Sequence, residues 1–249
     1  MNTQNTSQKL NKSPILYILY IVLILIILNA TNILAQPTGA EITFNQTETI
    51  APVPASELTT EGGSFTTMVL SGVFQTPRWK AYVGNVTGRL ALRDTDSRTI
   101  YDWDLVSVSG QIYVTRNNSI DWSTISCASE QTILDEQAAL NIPINSADSI
   151  NRTFNETIHK GFFVGTTQIQ ESTCRAIATY VEDEKQPASI DATFQEILLQ
   201  DIGSNVIFTT IIEQSEIGYD SNPYDFQLIV PEDPTSIDPT TYYFFAEIY

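Results

Sequence analysis

Two carboxylates separated by one residue are the clearest candidate for metal chemistry in this sequence. Asp94 and Asp96 lie in a polar stretch, residues 93–98, between two apolar runs. Calcium loops begin in this way, because alternate side-chain oxygens in a turn can converge on one ion. The rest of the calcium-loop pattern is absent, since Thr99 stands at the sixth position and Leu105 at the twelfth. The pattern favours a solvated hairpin loop, with a weak structural calcium site as the alternative.

Acid–base catalysis would need either the single imidazole or a pair of carboxyl groups. A triad hydrolase would use His159 as its base, but the sequence contains no Gly-x-Ser-x-Gly elbow. A glycoside hydrolase needs only two carboxylates at a fixed separation, and 29 Asp and Glu residues offer many pairs without singling one out. The sequence therefore favours a surface position for His159 and a protein without catalytic residues. A secreted two-carboxylate glycoside hydrolase stays as one alternative.

Four aromatic side chains could form a surface that stacks on sugar rings. Tyr101 and Trp103 share one face of a candidate strand, and Trp79 and Tyr82 lie near the start of another. The same residue types pack the cores of β-sandwiches. Core packing is the prediction, and a carbohydrate-binding surface module is the alternative.

The compartment of the protein decides whether its cysteines can form a disulfide and whether its asparagines can be glycosylated. In an exported protein, Cys127 and Cys174 are predicted to form a disulfide, because two cysteines outside the cytoplasm are best explained as a pair. Such a bridge would stabilise the fold by about 4 kcal/mol in the chain-entropy model. Two separate buried thiols are the alternative. Asn-x-Ser/Thr triplets mark candidate glycosylation sites at Asn45, Asn85, Asn117, Asn151 and Asn155.

Short apolar runs between turn residues dominate the chain beyond residue 64. Nearly all are rich in Val, Ile, Thr, Tyr and Phe, which favour strands. Polar stretches at residues 93–98, 109–110 and 200–205 are typical of hairpin turns. Because no βαβ alternation is visible, residues 64–249 are predicted to form a single mainly β domain, an antiparallel sandwich or jelly roll. The candidate strands span residues 65–74, 79–92, 99–108, 111–115, 162–169, 176–181, 193–199, 206–212, 226–230 and 242–248.

One segment departs from the strand pattern. Residues 126–141 begin with Ser and continue with apolar residues at helical spacing, and Pro143 ends the run. A second short helical turn is expected over residues 146–154. The sequence therefore predicts a helical insertion at about residues 126–156 between two blocks of strands.

The amino-terminal segment has the pattern of an export signal. Lys9 and Lys12 precede 14 apolar residues, 15–28, a length that suits a secretory signal better than a spanning helix. Residues 1–35 are predicted to be a cleaved signal peptide, with an uncleaved signal anchor as the alternative. In both cases the remainder is exported, so the protein is expected to be secreted or held at the cell surface. If the segment is left uncleaved, it would be the protein's one contact with the membrane.

The next residues, 36–63, form an extended polar leader. They contain three prolines and the Gly62-Gly63 pair, with one alternating patch at Ile42 and Phe44. This patch could pair as an edge strand within its own chain. The alternative is that it adds as a strand to the open edge of a neighbouring subunit and builds a filament.

Composition excludes several classes of function. The chain carries 12 Lys and Arg against 29 Asp and Glu, a formal net charge of −17, so it is not suited to gripping nucleic-acid phosphates. Two cysteines and one histidine are too few for a zinc cluster, a haem or an iron–sulfur site. No cofactor is therefore expected beyond the calcium alternative at Asp94 and Asp96.

Several short motifs between Glu61 and Phe154 belong to one pattern. They comprise residues 61–63, 75–79, 84–88, 90–92, 100–103, 121–127 and 148–154, together with Tyr82 and Asp94. This pattern resembles an uncharacterised family of exported archaeal cell-surface proteins, and the similarity runs from Glu61 to Phe154. The resemblance implies an archaeal cell surface and no particular reaction.

These observations lead to one functional hypothesis. The protein is expected to be a non-enzymatic, acidic, glycosylated structural or adhesive β-sandwich outside the cell. Its partners would be copies of itself or other cell-surface components, with no nucleic acid among them.

Overall fold

A computed structural model describes residues 36–51, 54–105 and 107–249. The predicted signal or anchor over residues 1–35 lies outside these residues. No helix in the described ranges has the length and apolar character needed to cross a membrane. The strands are β1 (Thr38–Gly39), β2 (Trp79–Gly84), β3 (Arg89–Arg93), β4 (Thr99–Asp104), β5 (Gly110–Thr115), β6 (Ser126–Cys127), β7 (Phe162–Val164), β8 (Thr167–Ile169), β9 (Ala176–Ala178), β10 (Gln195–Gln200), β11 (Val206–Ile211), β12 (Glu216–Ile217), β13 (Pro223–Tyr224), β14 (Phe226–Pro231) and β15 (Tyr243–Ile248).

The prediction of a mainly β protein built from antiparallel sheets is confirmed. Seven strands form the main sheet, in which β1, β15, β5, β11, β10 and β6 are neighbours in that order and β9 also pairs with β10. Every pairing is antiparallel, and β5 lies at the centre between β15 and β11. Four two-stranded ribbons accompany this sheet, formed by β2 with β14, β3 with β4, β7 with β8, and β12 with β13.

The main sheet is buried on both faces. On β5, Ile112 and Val114 point into one apolar cluster and Tyr113 points into the other, as the two-residue period of a strand requires. One face of the sheet, named here the helical face, is covered by β14 and by two helices, α1 (Glu130–Ala139) and α2 (Ile150–Thr153). The opposite face, named here the hairpin face, is covered by the β7–β8 ribbon and by a 3₁₀ turn at Trp122–Thr124. The central strands β5, β10 and β11 are therefore buried along almost their whole length.

The two helices lie inside the predicted insertion, and they start later than expected. Residues 126–127 form strand β6, and α1 begins only after Ser129, whose side chain accepts a hydrogen bond from the backbone N–H of Thr132. This serine cap satisfies one of the unpaired donors at the helix start. Ile133 on α1 and Ile150 on α2 are fully buried against the helical face of the sheet.

The predicted disulfide is confirmed. Cys127 at the end of β6 is bonded to Cys174, and their Cα atoms are 4.9 Å apart. The bridge ties the edge of the main sheet to the segment that follows the β7–β8 ribbon. Cys174 is almost completely buried on the hairpin face.

Three sequence expectations about strands are wrong. Residues 65–74 do not form a strand, because nothing in the described part of the chain pairs with them. The run over 79–92 is divided into β2 and β3 by residues 85–88, which have no regular secondary structure and include Gly88. Residues 109–110 do not close a hairpin, since β4 pairs with β3 and β5 pairs with β11 and β15.

Candidate functional site: a candidate assembly surface

Many exposed apolar side chains of the described residues lie in the segment between β1 and β2, residues 40–77, named here the apolar loop. Apart from a turn at residues 62–63, its described residues have no regular secondary structure, and they are exposed throughout. Burying one large apolar side chain is worth about 1.5–3 kcal/mol, and large exposed apolar patches mark interaction sites in general. Side chains exposed by more than half include Ile42, Phe44, Ile50, Leu58, Phe65, Met68, Val69, Leu70, Val73 and Phe74.

The loop leaves the fold at β1. Thr38 and Gly39 pair with Ala246 and Phe245 on the outer edge of β15, and the N–H of Ala40 donates to the carbonyl of Phe244. This is the intramolecular edge pairing, and it involves the residues just before the Ile42 and Phe44 patch rather than the patch itself. Both patch side chains are exposed.

The loop returns to the fold at Asp148, which binds three residues near the start of β2. Its carboxylate accepts hydrogen bonds from the Thr76 hydroxyl at 2.6 Å and the Arg78 guanidinium at 3.1 Å, and its carbonyl accepts from Trp79 Nε1 at 2.8 Å. Burial opposes ionisation of Asp148, but the hydrogen bonds from Ser146, Thr76 and Arg78 outweigh it and lower the pKa to about 2. The anchor is therefore charged at any pH above this value.

A second exposed apolar surface lies on the β3–β4 ribbon. Leu90 pairs with Trp103 and Leu92 pairs with Tyr101 across the ribbon, so all four side chains share one face. They are 47–60% exposed, and the rings of Tyr101 and Trp103 meet edge to face with centroids 4.9 Å apart. We call these four residues the ribbon patch. Each strand of this ribbon has one neighbour in the described residues, so each leaves one edge free.

The four aromatic candidates divide into two pairs with different roles. Trp79 and Tyr82 pack against the helical face of the core, as predicted. Core packing is the wrong prediction for Tyr101 and Trp103, which are exposed on the ribbon. Spacing along the chain could not separate the pairs, because the difference is that β2 pairs with a core strand and β4 does not.

The Asp94 and Asp96 carboxylates are engaged by protein groups. Asp94 Oδ1 accepts from the backbone N–H groups of Asp96 and Arg98, and the Arg98 guanidinium lies 3.0 Å from Asp96 Oδ2. The structure thus places both acids in the solvated hairpin loop between β3 and β4. Within the described ranges, no three Asp, Glu, His or Cys side chains come together as a metal site would require.

His159 is fully buried, so the prediction of a surface histidine is wrong. Its Nδ1 lies 2.8 Å from the carbonyl of Lys160, to which it must donate, and its Nε2 accepts the backbone N–H groups of Thr173 and Cys174. Burial lowers the pKa of His159, against the opposing effect of the Lys160 carbonyl. The neutral ring therefore holds the backbone at the disulfide, and it lacks a free nitrogen for proton transfer.

Two buried carboxyl groups, those of Glu196 and Glu247, do not form a pair. Glu196 lies on the helical face, where its Oε2 accepts the N–H of Ile229 on β14 at 2.9 Å. Glu247 lies on the hairpin face, where it accepts from the Tyr113 hydroxyl and the N–H of Gly165. The sheet separates them, so they cannot flank one glycosidic bond. Each instead joins a covering layer to the main sheet through a hydrogen bond, Glu196 to β14 and Glu247 to the β7–β8 ribbon.

Stability should fall as the pH rises because of Glu196. Complete burial raises the pKa of this carboxyl well above its ordinary value, outweighing the hydrogen bond from Ile229. The neutral form therefore stabilises the fold fully below the unfolded pKa of about 4.3, and this stabilisation is lost as the pH rises through the folded pKa. His159 acts in the opposite sense, losing its contribution below the ordinary histidine pKa.

The test compares the variant Glu196→Gln with the wild-type chain by urea unfolding between pH 4.5 and 7.5. The wild type should lose stability relative to the variant at up to about 1.4 kcal/mol per pH unit, the limit for one proton. The exposed acid Glu184, changed to Gln, is the matched control and should follow the wild type. A wild-type to Glu196→Gln difference that stays constant across this range would contradict the assignment.

Comparison with known protein families, with curated proteins and with solved structures gave no match.

Proposed function

We propose that this protein is a non-enzymatic structural or adhesive component of the cell exterior that assembles with copies of itself. The observation that carries the proposal is the apolar loop together with the ribbon patch. Many large apolar side chains are exposed in these two regions, and large exposed apolar patches mark interaction sites. The sandwich-like packing of β14 and β2 over the main sheet supports the structural role, because it buries a shared apolar core on that face.

Self-association is tested on the full chain produced in its native host and purified without denaturation. We expect the mass measured by light scattering to rise with protein concentration, and fibres or larger assemblies to be visible by negative-stain electron microscopy. A monomer at every concentration, with no assemblies on the native cell surface, would overturn the proposal.

Export is supported by the disulfide between Cys127 and Cys174, since such bonds persist in oxidising compartments. Intact-mass measurement of the protein from its own cells would report removal of residues 1–35, the disulfide and any glycans together. Finding the complete chain in the cytosol with both thiols reduced would exclude the proposed location.

The five glycan acceptors should not be used equally. Asn45, Asn85 and Asn155 are exposed, whereas Asn117 is half-buried and its Nδ2, the atom that would carry a glycan, donates to Asn205 Oδ1 at 3.0 Å. Glycopeptide mass spectrometry is expected to find sugar on the exposed acceptors and none on Asn117. Modification of Asn117 with the three exposed acceptors bare would contradict this expectation.

A carbohydrate-binding surface is the second candidate, favoured by the exposure of Tyr101 and Trp103. Their edge-to-face arrangement offers one ring face rather than a flat platform. A glycan array probed with the wild-type chain and with Tyr101→Ala would decide, and an array without signal would remove this candidate.

A further inference from the structure

We propose that export leaves Gln36 as the first residue of the mature chain and that this glutamine cyclises to pyroglutamate. Cleavage between Ala35 and Gln36, which makes Gln36 an amino terminus, rests on the proposed export. The modified residue would lie directly before β1, where one end of the apolar loop is attached to the fold.

Packed residues of the fold follow Gln36 directly. Pro37 is buried, and Thr38 and Gly39 pair with the outer edge of β15. A cut after Pro37 would remove a buried residue, and a cut after Gly39 would remove β1 itself. Cleavage just before Gln36 leaves all of these contacts in place.

The residues before this bond suit a signal peptidase. Ala35 is the small residue that such an enzyme requires next to the cut, and it follows the apolar run over residues 15–28 at a short distance. A cut after Ala30 would instead leave Ile33 and Leu34, two apolar residues, on the exported chain. The bond after Ala35 is therefore the better site.

The side chain of Gln36 is accessible for reaction. It is exposed, and its Cγ lies beside the tip of the β7–β8 ribbon, where a Cβ added to Gly165 would approach it to 3.6 Å. An exposed amide has no packing to break before it reacts. The fold thus holds the backbone after Gln36 and leaves its side chain in solvent.

Cyclisation needs no group beyond this one residue. The α-nitrogen of Gln36 forms a bond to its own Cδ, and the bond between Cδ and Nε2 breaks. One proton passes from the α-amine to the departing nitrogen, which leaves as ammonia. Both reacting groups belong to one residue and close a five-membered ring, so they have the high effective concentration of an intramolecular reaction. No oxidant, reductant or second substrate is consumed.

The ring removes the positive charge of the new amino terminus. An α-amine has an ordinary pKa of about 7.7–8.0 and is mostly charged at neutral pH, whereas the lactam nitrogen is neutral. Enzymes that shorten proteins from the amino end act on a free α-amine. The ring therefore protects Pro37 and the two residues of β1, which hold one end of the apolar loop.

The test measures the intact masses of the wild-type chain and of the variant Gln36→Asn, each produced from the full chain in the native host. Asparagine keeps an amide side chain, but it is one methylene shorter, and its cyclisation would require a strained four-membered ring. Because residue 36 is exposed, the variant should melt as the wild type does. It is the matched control for cleavage without cyclisation.

We expect the wild-type chain to lack residues 1–35 and to be lighter, by one ammonia, than a chain that begins with unmodified Gln36. Fragmentation of the intact chain should localise this loss to residue 36, and stepwise amino-terminal sequencing should be blocked. The Gln36→Asn chain should begin at the same position with its full mass, and it should be sequenced without a block.

Other outcomes separate cyclisation from export. A wild-type chain outside the cell that begins with unmodified Gln36, or at any other residue, overturns the inference and leaves the proposed export standing. The same loss of ammonia from the Gln36→Asn chain would place the reaction at another residue and would also overturn it. A complete chain in the cytosol with both thiols reduced removes the proposed export as well.

Discussion

Replacing Cys127 and Cys174 together with alanine should lower the free energy of unfolding by about 4 kcal/mol. The bridge closes a loop of 47 residues, and its removal restores the conformational freedom of that loop in the unfolded chain. The melting temperature should fall by about 8–16 °C for a domain of this size. Differential scanning calorimetry and urea unfolding would measure the two quantities.

Chemical reduction of the disulfide serves as the control for this double substitution. Wild-type protein treated with a thiol reductant should fall to the stability of the double variant, while the variant itself should not respond. A double variant with the same melting temperature as the oxidised wild type would contradict this prediction. It would show that the loop is held by other contacts, such as the hydrogen bonds of Thr173 and Cys174 to His159.

The variant Gly110→Ala should be destabilised by at least about 3 kcal/mol, through backbone strain and a steric clash. Gly110 opens the central strand β5 with φ +135°, a conformation that residues with a side chain rarely adopt. A Cβ atom there would lie 1.9 Å from the carbonyl oxygen of Glu247 on β15. The clash falls on backbone, so the two strands must separate to accommodate it.

Gly62→Ala is the matched control for this substitution. A Cβ at Gly62 would meet no atom within 4 Å, and the residue lies in the apolar loop. Its stability should stay within about 0.5 kcal/mol of the wild type. Urea unfolding of both variants measures the difference, and equal midpoints would refute the role given to Gly110.

The central strands and the disulfide could be predicted from the sequence. Strands β5 and β11 are apolar runs closed by turn residues, and a run of this kind is buried wherever a sheet has two covered faces. Cys127 and Cys174 were the two available thiols. These features depend on local composition, so local reasoning was sufficient.

The candidate assembly surface could not be predicted in the same way. Residues 65–74 have a strand-like composition, but a strand also requires a partner edge, and no described residue of the same chain supplies one. The sequence pointed to Ile42 and Phe44 as the patch for strand addition. The larger exposed surface lies further along the same loop.

His159 shows a different limit of sequence reasoning. Its role depends on two backbone N–H groups, at Thr173 and Cys174, which the fold brings to the ring from 14 and 15 residues away. Side-chain types and spacing carry no signal of such a contact. A histidine in a mostly polar stretch, such as residues 155–160, is therefore assigned to the surface by composition, even when the backbone offers it partners.

The attachment of the apolar loop also sets how the molecule would bear tension. A pull on residues 65–74 would enter the body at Trp79, where all six residues of β2 are paired with β14. A force along the strand axis would load these pairings together, in shear, and the grip of Asp148 on Thr76 and Arg78 would reinforce the point of entry. The other end of the loop is held by only two paired residues on β1. In the proposed assembly through the apolar loop, mechanical load would therefore pass through β2 and β14, while β1 would detach from β15 first.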